Sequence, residues 1–75
     1  MKLSNLLEEV FSVNESDQND SVRLMSLNEW DSMTHMLFIT RLEELYEVNL
    51  TGDEIASLET IGGIKKLLIS KGKSL

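Results

Sequence analysis

The chain holds 75 residues, with thirteen acids against seven bases for a net charge of −6, and has no cysteine. That length reads as a single small domain over residues 1–75 with little room for a catalytic cleft, and the missing cysteine excludes a disulfide framework and a Cys-based metal site. An acidic body repels phosphate backbones, so no nucleic-acid partner is expected, and with no apolar run longer than four residues neither a leader peptide nor a membrane span is expected, which points to a cytoplasmic protein.

Leu3, Leu6, Leu7, Val10 and Phe11 recur at i, i+3, i+4, i+7 and i+8, which predicts a helix over roughly residues 3–12. Residues 14–31, NESDQNDSVRLMSLNEWD, open rich in Asn, Ser, Asp and Glu and read as loop. The second half of that stretch supplies Val22, Leu24, Met25, Leu27 and Trp30, enough to pin the loop onto a core. A loop of this length is uncommon in a small domain and often functional.

The helical period returns from Ser32 to about Glu47, where His35, Phe38, Ile39, Leu42 and Tyr46 define an inward face. Asp31 is placed to cap that helix by accepting an orphan N–H of its first turn. Thr51 with Glu54 three residues later fits a capping box for a short helix through Leu58. Thr60 caps a last helix carrying Ile61, Ile64, Leu67 and Leu68 and ending near Gly72. Lys65, Lys66, Lys71 and Lys73 gather at this end, where cations complement a helix dipole. No segment alternates with period 2, so the fold class is all-α: four helices, a long first loop and a short third helix.

Little enzyme chemistry is available. Asp31, Ser32 and His35 fall within five residues at one helix start, with no oxyanion hole or cleft implied, so they are not read as a triad. His35 instead lies on the inward face, as a packed or half-buried histidine. Glu43, Glu44 and Glu47 form a solvated stretch, and one histidine leaves transition metals without ligands. The loop lacks the glycine and final glutamate of a calcium-binding loop, and Gly62-Gly63 is the first turn of a helix rather than a phosphate loop. Neither an enzyme nor a metal site is expected. Ser32 stands apart, because a hydroxyl at a helix N-terminus points away from the core into the positive end of the dipole. A phosphoryl group attached there is stabilised, although a serine at this position needs no role beyond starting the helix.

Read together, WDSMTHMLFITRLEELYEVNLTGDEIASLETIGGIKKLL, from Trp30 to Leu68, resembles an acyl carrier protein. That family opens its second helix with Asp-Ser-Leu or a close variant, here Asp31-Ser32-Met33. A Leu-Glu-Glu stretch with an aromatic follows, here Leu42 to Tyr46, then a short acidic third helix, Asp53-Glu54-Ile55, and a Thr-Val-Gly-like start to the fourth, Thr60-Ile61-Gly62. The first helix and long loop match the same layout. Asp-Ser alone is a short motif; the ordered series carries the resemblance.

The resemblance implies a four-helix bundle of acyl-carrier type in which Ser32, flanked by Asp31, bears 4′-phosphopantetheine. A phosphopantetheinyl transferase would install that arm from coenzyme A with Mg²⁺. The arm's thiol would hold an acyl or aminoacyl group as a thioester, and loading and acyl-transferring enzymes would be the partners of a monomeric shuttle. Phe38, Ile39, Leu42, Leu58 and Ile61 would line the core, where small shifts admit an acyl chain. Carriers of fatty-acid synthesis usually have acids at the second and fifth positions after the serine and another in the third helix. Here those positions are Thr34, Leu37 and Ala56. The outward face would thus present Met33, Met36, Leu37 and Thr40, with Glu43, Glu44 and Asp31 left for basic partners. Exposed apolar groups beside a functional serine suggest docking, and methionine suits adaptable contacts. This flavour is closer to specialised carriers of polysaccharide modification, polyketide or peptide pathways. The alternative from another class is an unmodified acidic helical adaptor that binds a protein through the Met33, Met36 and Leu37 surface.

Overall fold

A computed structural model describes residues 2–74. Among the described residues there are four α-helices and no strand: α1 Leu3–Phe11, α2 Ser32–Tyr46, α3 Gly52–Ser57 and α4 Ile61–Ser70. Two single turns of 3₁₀-helix, Glu15–Asp17 and Leu24–Ser26, break the long connection between α1 and α2. The all-α expectation and the short third helix therefore stand as the chain's architecture, and no described helix is long and apolar enough to cross a membrane.

Each helix starts and stops for a local reason. The caps read from the sequence are in place: Asp31 accepts the Thr34 N–H, Thr51 the Glu54 N–H, and Thr60 the Gly63 N–H. At the other ends, α1 stops at Ser12 and α2 at Glu47, both in the left-handed region with φ of 54° and 53°. The N–H of each returns to a carbonyl four residues back, Glu8 and Glu43, which satisfies orphan acceptors of the last turn. Gly72, at φ 79°, closes the turn after α4, where the Lys73 N–H reaches the Leu68 carbonyl at 3.0 Å.

The apolar stripes of three helices converge on one core. Leu3, Leu6, Leu7 and Phe11 of α1, Phe38, Ile39 and Leu42 of α2, and Ile61, Ile64 and Leu68 of α4 are all buried. Phe11 and Phe38 meet with ring centroids 5.3 Å apart and planes at 45°, within the range where aromatic pairs gain more than their area alone. At the surface the Arg41–Glu9 ion pair, at 2.8 Å, spans α2 and α1.

The long connection is bound to this core by its own backbone. Leu24 is fully buried, while Val22, Leu27 and Trp30 pack against the cluster half-buried. Met25 departs from the expectation: it is 69% exposed, because the 3₁₀ turn that carries Leu24 inward directs its neighbour outward. The Leu24 N–H donates to Glu59 O at 2.8 Å, Ile61 N–H to Val22 O at 3.1 Å, and Gly62 N–H to Asp20 O at 2.9 Å. The loop is thereby zippered onto the α3–α4 junction. Its first half is tied back by the Gln18 amide, which donates to both Ser4 O and Val13 O at 3.0 Å.

Candidate functional site

Ser32 is the first residue of α2 and is exposed. Its surroundings explain why it is left over. Asp31 is extended, with φ −153° and ψ −178°, and its carboxylate accepts the Thr34 N–H at 2.8 Å. Thr34 answers by accepting the Asp31 N–H on Oγ1 at 2.8 Å. That same hydroxyl lies 3.0 Å from Glu29 O and 3.1 Å from Asp31 O and donates to one of them. Capping is therefore complete without Ser32, whose hydroxyl makes no hydrogen bond among the described residues. Sequence reading found Asp31 but not the reciprocal bond from Thr34, since a threonine at the third helical position is a less common partner than Glu or Gln.

The charge at this corner is set by the cap. The Thr34 N–H chiefly holds the Asp31 carboxyl below the usual carboxylate range, and the Met33 N–H acts in the same direction. Asp31 is thus anionic beside the positive end of α2. Its charge offsets part of the dipole, but both it and Ser32 face solvent, where repulsion between exposed anions is screened within about 8–10 Å. A single phosphodiester on Ser32 fits this corner: there is space, dipole and solvent.

One turn further on, His35 is half-buried, as its inward spacing implied. The Trp30 indole N–H donates to Nδ1 at 3.3 Å, and the rings meet edge-on at a centroid distance of 5.8 Å. Nε2 lies 3.3 Å from the Ile55 carbonyl of α3. An indole N–H only donates and a carbonyl only accepts, so the ring proton sits on Nε2.

Along the outer face of α2, Met33 is 82% exposed, Met36 50% and Leu37 48%, and Thr40 and Glu44 are also exposed. Thr40 spends its hydroxyl on the Met36 carbonyl at 3.0 Å. Glu43 differs from Glu44: it is half-buried, and Oε2 accepts the Leu50 N–H at 2.8 Å, which commits it to the turn after α2. The inner five residues, Phe38, Ile39, Leu42, Leu58 and Ile61, are all buried in the common cluster. Three surface clefts lie elsewhere and none is lined by these five. They sit between Lys2 and Gln18, between Phe11 and Glu29, and between Asp20 and Ile69, with volumes of about 360, 280 and 590 Å³.

The C-terminal lysines divide. Lys65 pairs with Asp20 at 2.7 Å and Lys71 with Glu54 at 3.1 Å, so two of them join elements rather than only facing a helix end. Among the described residues no group of three or more His, Asp or Glu side chains is placed to hold a metal ion. No protein-family model matches the chain, and a comparison with curated proteins finds no relative.

Proposed function

We propose that the chain is a carrier protein of acyl-carrier type: it holds an acyl or aminoacyl group as a thioester on a 4′-phosphopantetheine arm attached to Ser32 and presents it to partner enzymes. The observation that supports this most is the division of roles at the start of α2. Asp31 and Thr34 complete the capping box, and the exposed Ser32 hydroxyl, at the positive end of a helix of 15 residues, has no hydrogen-bond partner among the described residues.

When bound, the arm supplies the thiol that a chain without cysteine lacks. The chain's own residues do the rest. Ser32 Oγ is the attachment atom, and Asp31 fixes the backbone that points it outward. Met33, Met36, Leu37 and Thr40, with Glu44, offer the surface that a phosphopantetheinyl transferase and the loading and transferring enzymes would dock against. Phe38, Ile39, Leu42, Leu58 and Ile61 close the interior, so an acyl chain enters only where they part. The same layout of helices and loop supports a bundle of acyl-carrier type, and the apolar docking face supports a specialised carrier over one of bulk fatty-acid synthesis.

The test is intact mass before and after incubation with coenzyme A, Mg²⁺ and a promiscuous phosphopantetheinyl transferase. A gain of one phosphopantetheine, absent in Ser32→Ala, is the expected result. No gain on folded protein with several transferases sinks the proposal. The exposure of Met33, Met36 and Leu37 also supports a second reading, an unmodified acidic adaptor. On that reading Ser32→Ala leaves partner binding intact and no transferase loads the chain.

A further inference from the structure

α3 is the least anchored helix. It has six residues and buries none of them, whereas α1, α2 and α4 each bury three or four. Six residues are too few to hold a helix by their own hydrogen bonds. What seats α3 is the half-buried Ile55, the Leu58 that follows it, and two polar ties. One is the Glu54–Lys71 pair toward the end of α4. The other is the His35 Nε2–H on the Ile55 carbonyl, a last-turn acceptor whose backbone donor, the Leu58 N–H, stands off at 3.4 Å.

The imidazole has one acceptor and one donor, and both are engaged. Trp30 N–H, Nδ1, Nε2–H and Ile55 O therefore form one chain of hydrogen bonds running in a single direction. Accepting a bond at Nδ1 makes Nε2–H a better donor, and donating from Nε2 makes Nδ1 a better acceptor, so each bond strengthens the other. We infer that His35 is a latch coupling the seating of α3 to the placement of Trp30, two residues before Ser32, so that a partner lifting α3 loosens the Trp30–Ser32 segment and the reverse. This inference stands on the two bonds and the weak anchoring of α3, and holds whether or not Ser32 is modified.

Three readouts on ¹⁵N-labelled full-length protein test it. Long-range imidazole spectra at neutral to alkaline pH should show the Nε2–H form; the Nδ1–H form overturns the latch. Trp30→Phe keeps a ring but removes the donor, and should raise hydrogen exchange at the Ile55 and Leu58 amides about three- to tenfold. The amides of Leu7 and Leu68 should hold still, and unchanged exchange in α3 overturns the coupling. Glu54→Gln keeps the capping partner of Thr51 and cuts the tie to Lys71. By reciprocity it should move the Trp30 indole N–H resonance upfield, a change that ordinary packing of His35 does not produce. An unmoved indole resonance, with α3 exchange raised, overturns the latch as well.

Discussion

Gly62 shows how much a single residue without a side chain can decide. A Cβ at this position would stand 3.0 Å from both the Cβ and the carbonyl oxygen of Asp20. Asp20 has no freedom to retreat, because its carbonyl accepts the Gly62 N–H and its carboxylate holds Lys65. Alanine is worth up to about 1 kcal/mol in a helix over glycine, yet crowding of this kind costs about 1–3 kcal/mol. Gly62→Ala is therefore expected to lower the urea midpoint despite its better helix propensity; a raised midpoint would show that the loop yields. Tyr46 points the other way. Its hydroxyl is buried with no partner among the described residues, and an unmet buried hydroxyl costs more than replacing it with an apolar group of the same shape. Tyr46→Phe is expected to be at least as stable as the parent, by up to about 1 kcal/mol, in the same urea experiment. The sequence placed Tyr46 on the inward face correctly, since periodicity reports direction. It was silent on the orphan hydroxyl and on Gly62, because each depends on what a distant segment brings alongside. Ser32 and Asp31 were legible for the opposite reason: a cap is a contact among neighbours in the chain.

Helices α2 and α3 share a design in which a carboxylate holds the first turn, and this gives a dependence on pH. Asp31 is held below the usual carboxylate range chiefly by the Thr34 N–H. Glu54 is held below it by the Thr51 N–H and then by Lys71. A carboxyl whose folded value lies below its unfolded one contributes stability that is fully present above the unfolded range, about 4. That contribution disappears as pH falls through the depressed folded value. Thermal melts followed by circular dichroism should thus show Tm falling below about pH 4. Asp31→Asn keeps a capping oxygen and removes only the titration, so its melts should change less over that acid range than those of the parent. Equal slopes would mean that Asp31 is no part of the acid response. The element boundaries themselves were readable to within a residue or two, because apolar period and capping chemistry are both local. The hold on α3 was not. Its ties run from His35 on α2 and from Lys71 just past the end of α4, and no spacing within Gly52–Ser57 foretells them.

At the scale of the whole molecule, charge and apolar surface are separated in a way that sorts their effects on binding. Residues 1–64 contain all thirteen acids and three bases, a field that steers a basic partner toward the body. The surface next to Ser32 exposes apolar side chains, Met33 most of all, and on the carrier reading Thr34 and Leu37 stand where fatty-acid carriers usually have acids. Steering acts on encounter and is screened by salt; contact between apolar groups acts on residence and is not. On the carrier reading, stopped-flow binding to a phosphopantetheinyl transferase that loads Ser32 should separate the two. Raising salt from low to about 0.15 M, where the screening length falls to about 8 Å, should slow association and leave dissociation nearly unchanged. Met33→Gln or Leu37→Gln should speed dissociation about tenfold, as removal of one well-covered apolar side chain implies. Both variants should melt with the parent, since neither side chain is part of the core and surface changes usually move stability by less than about 0.5 kcal/mol. A salt-sensitive dissociation rate with indifferent Gln variants would place recognition on Asp31 and Glu44 instead of on the apolar face. That outcome would return the chain to the charged docking mode of fatty-acid carriers, in spite of Thr34, Leu37 and Ala56.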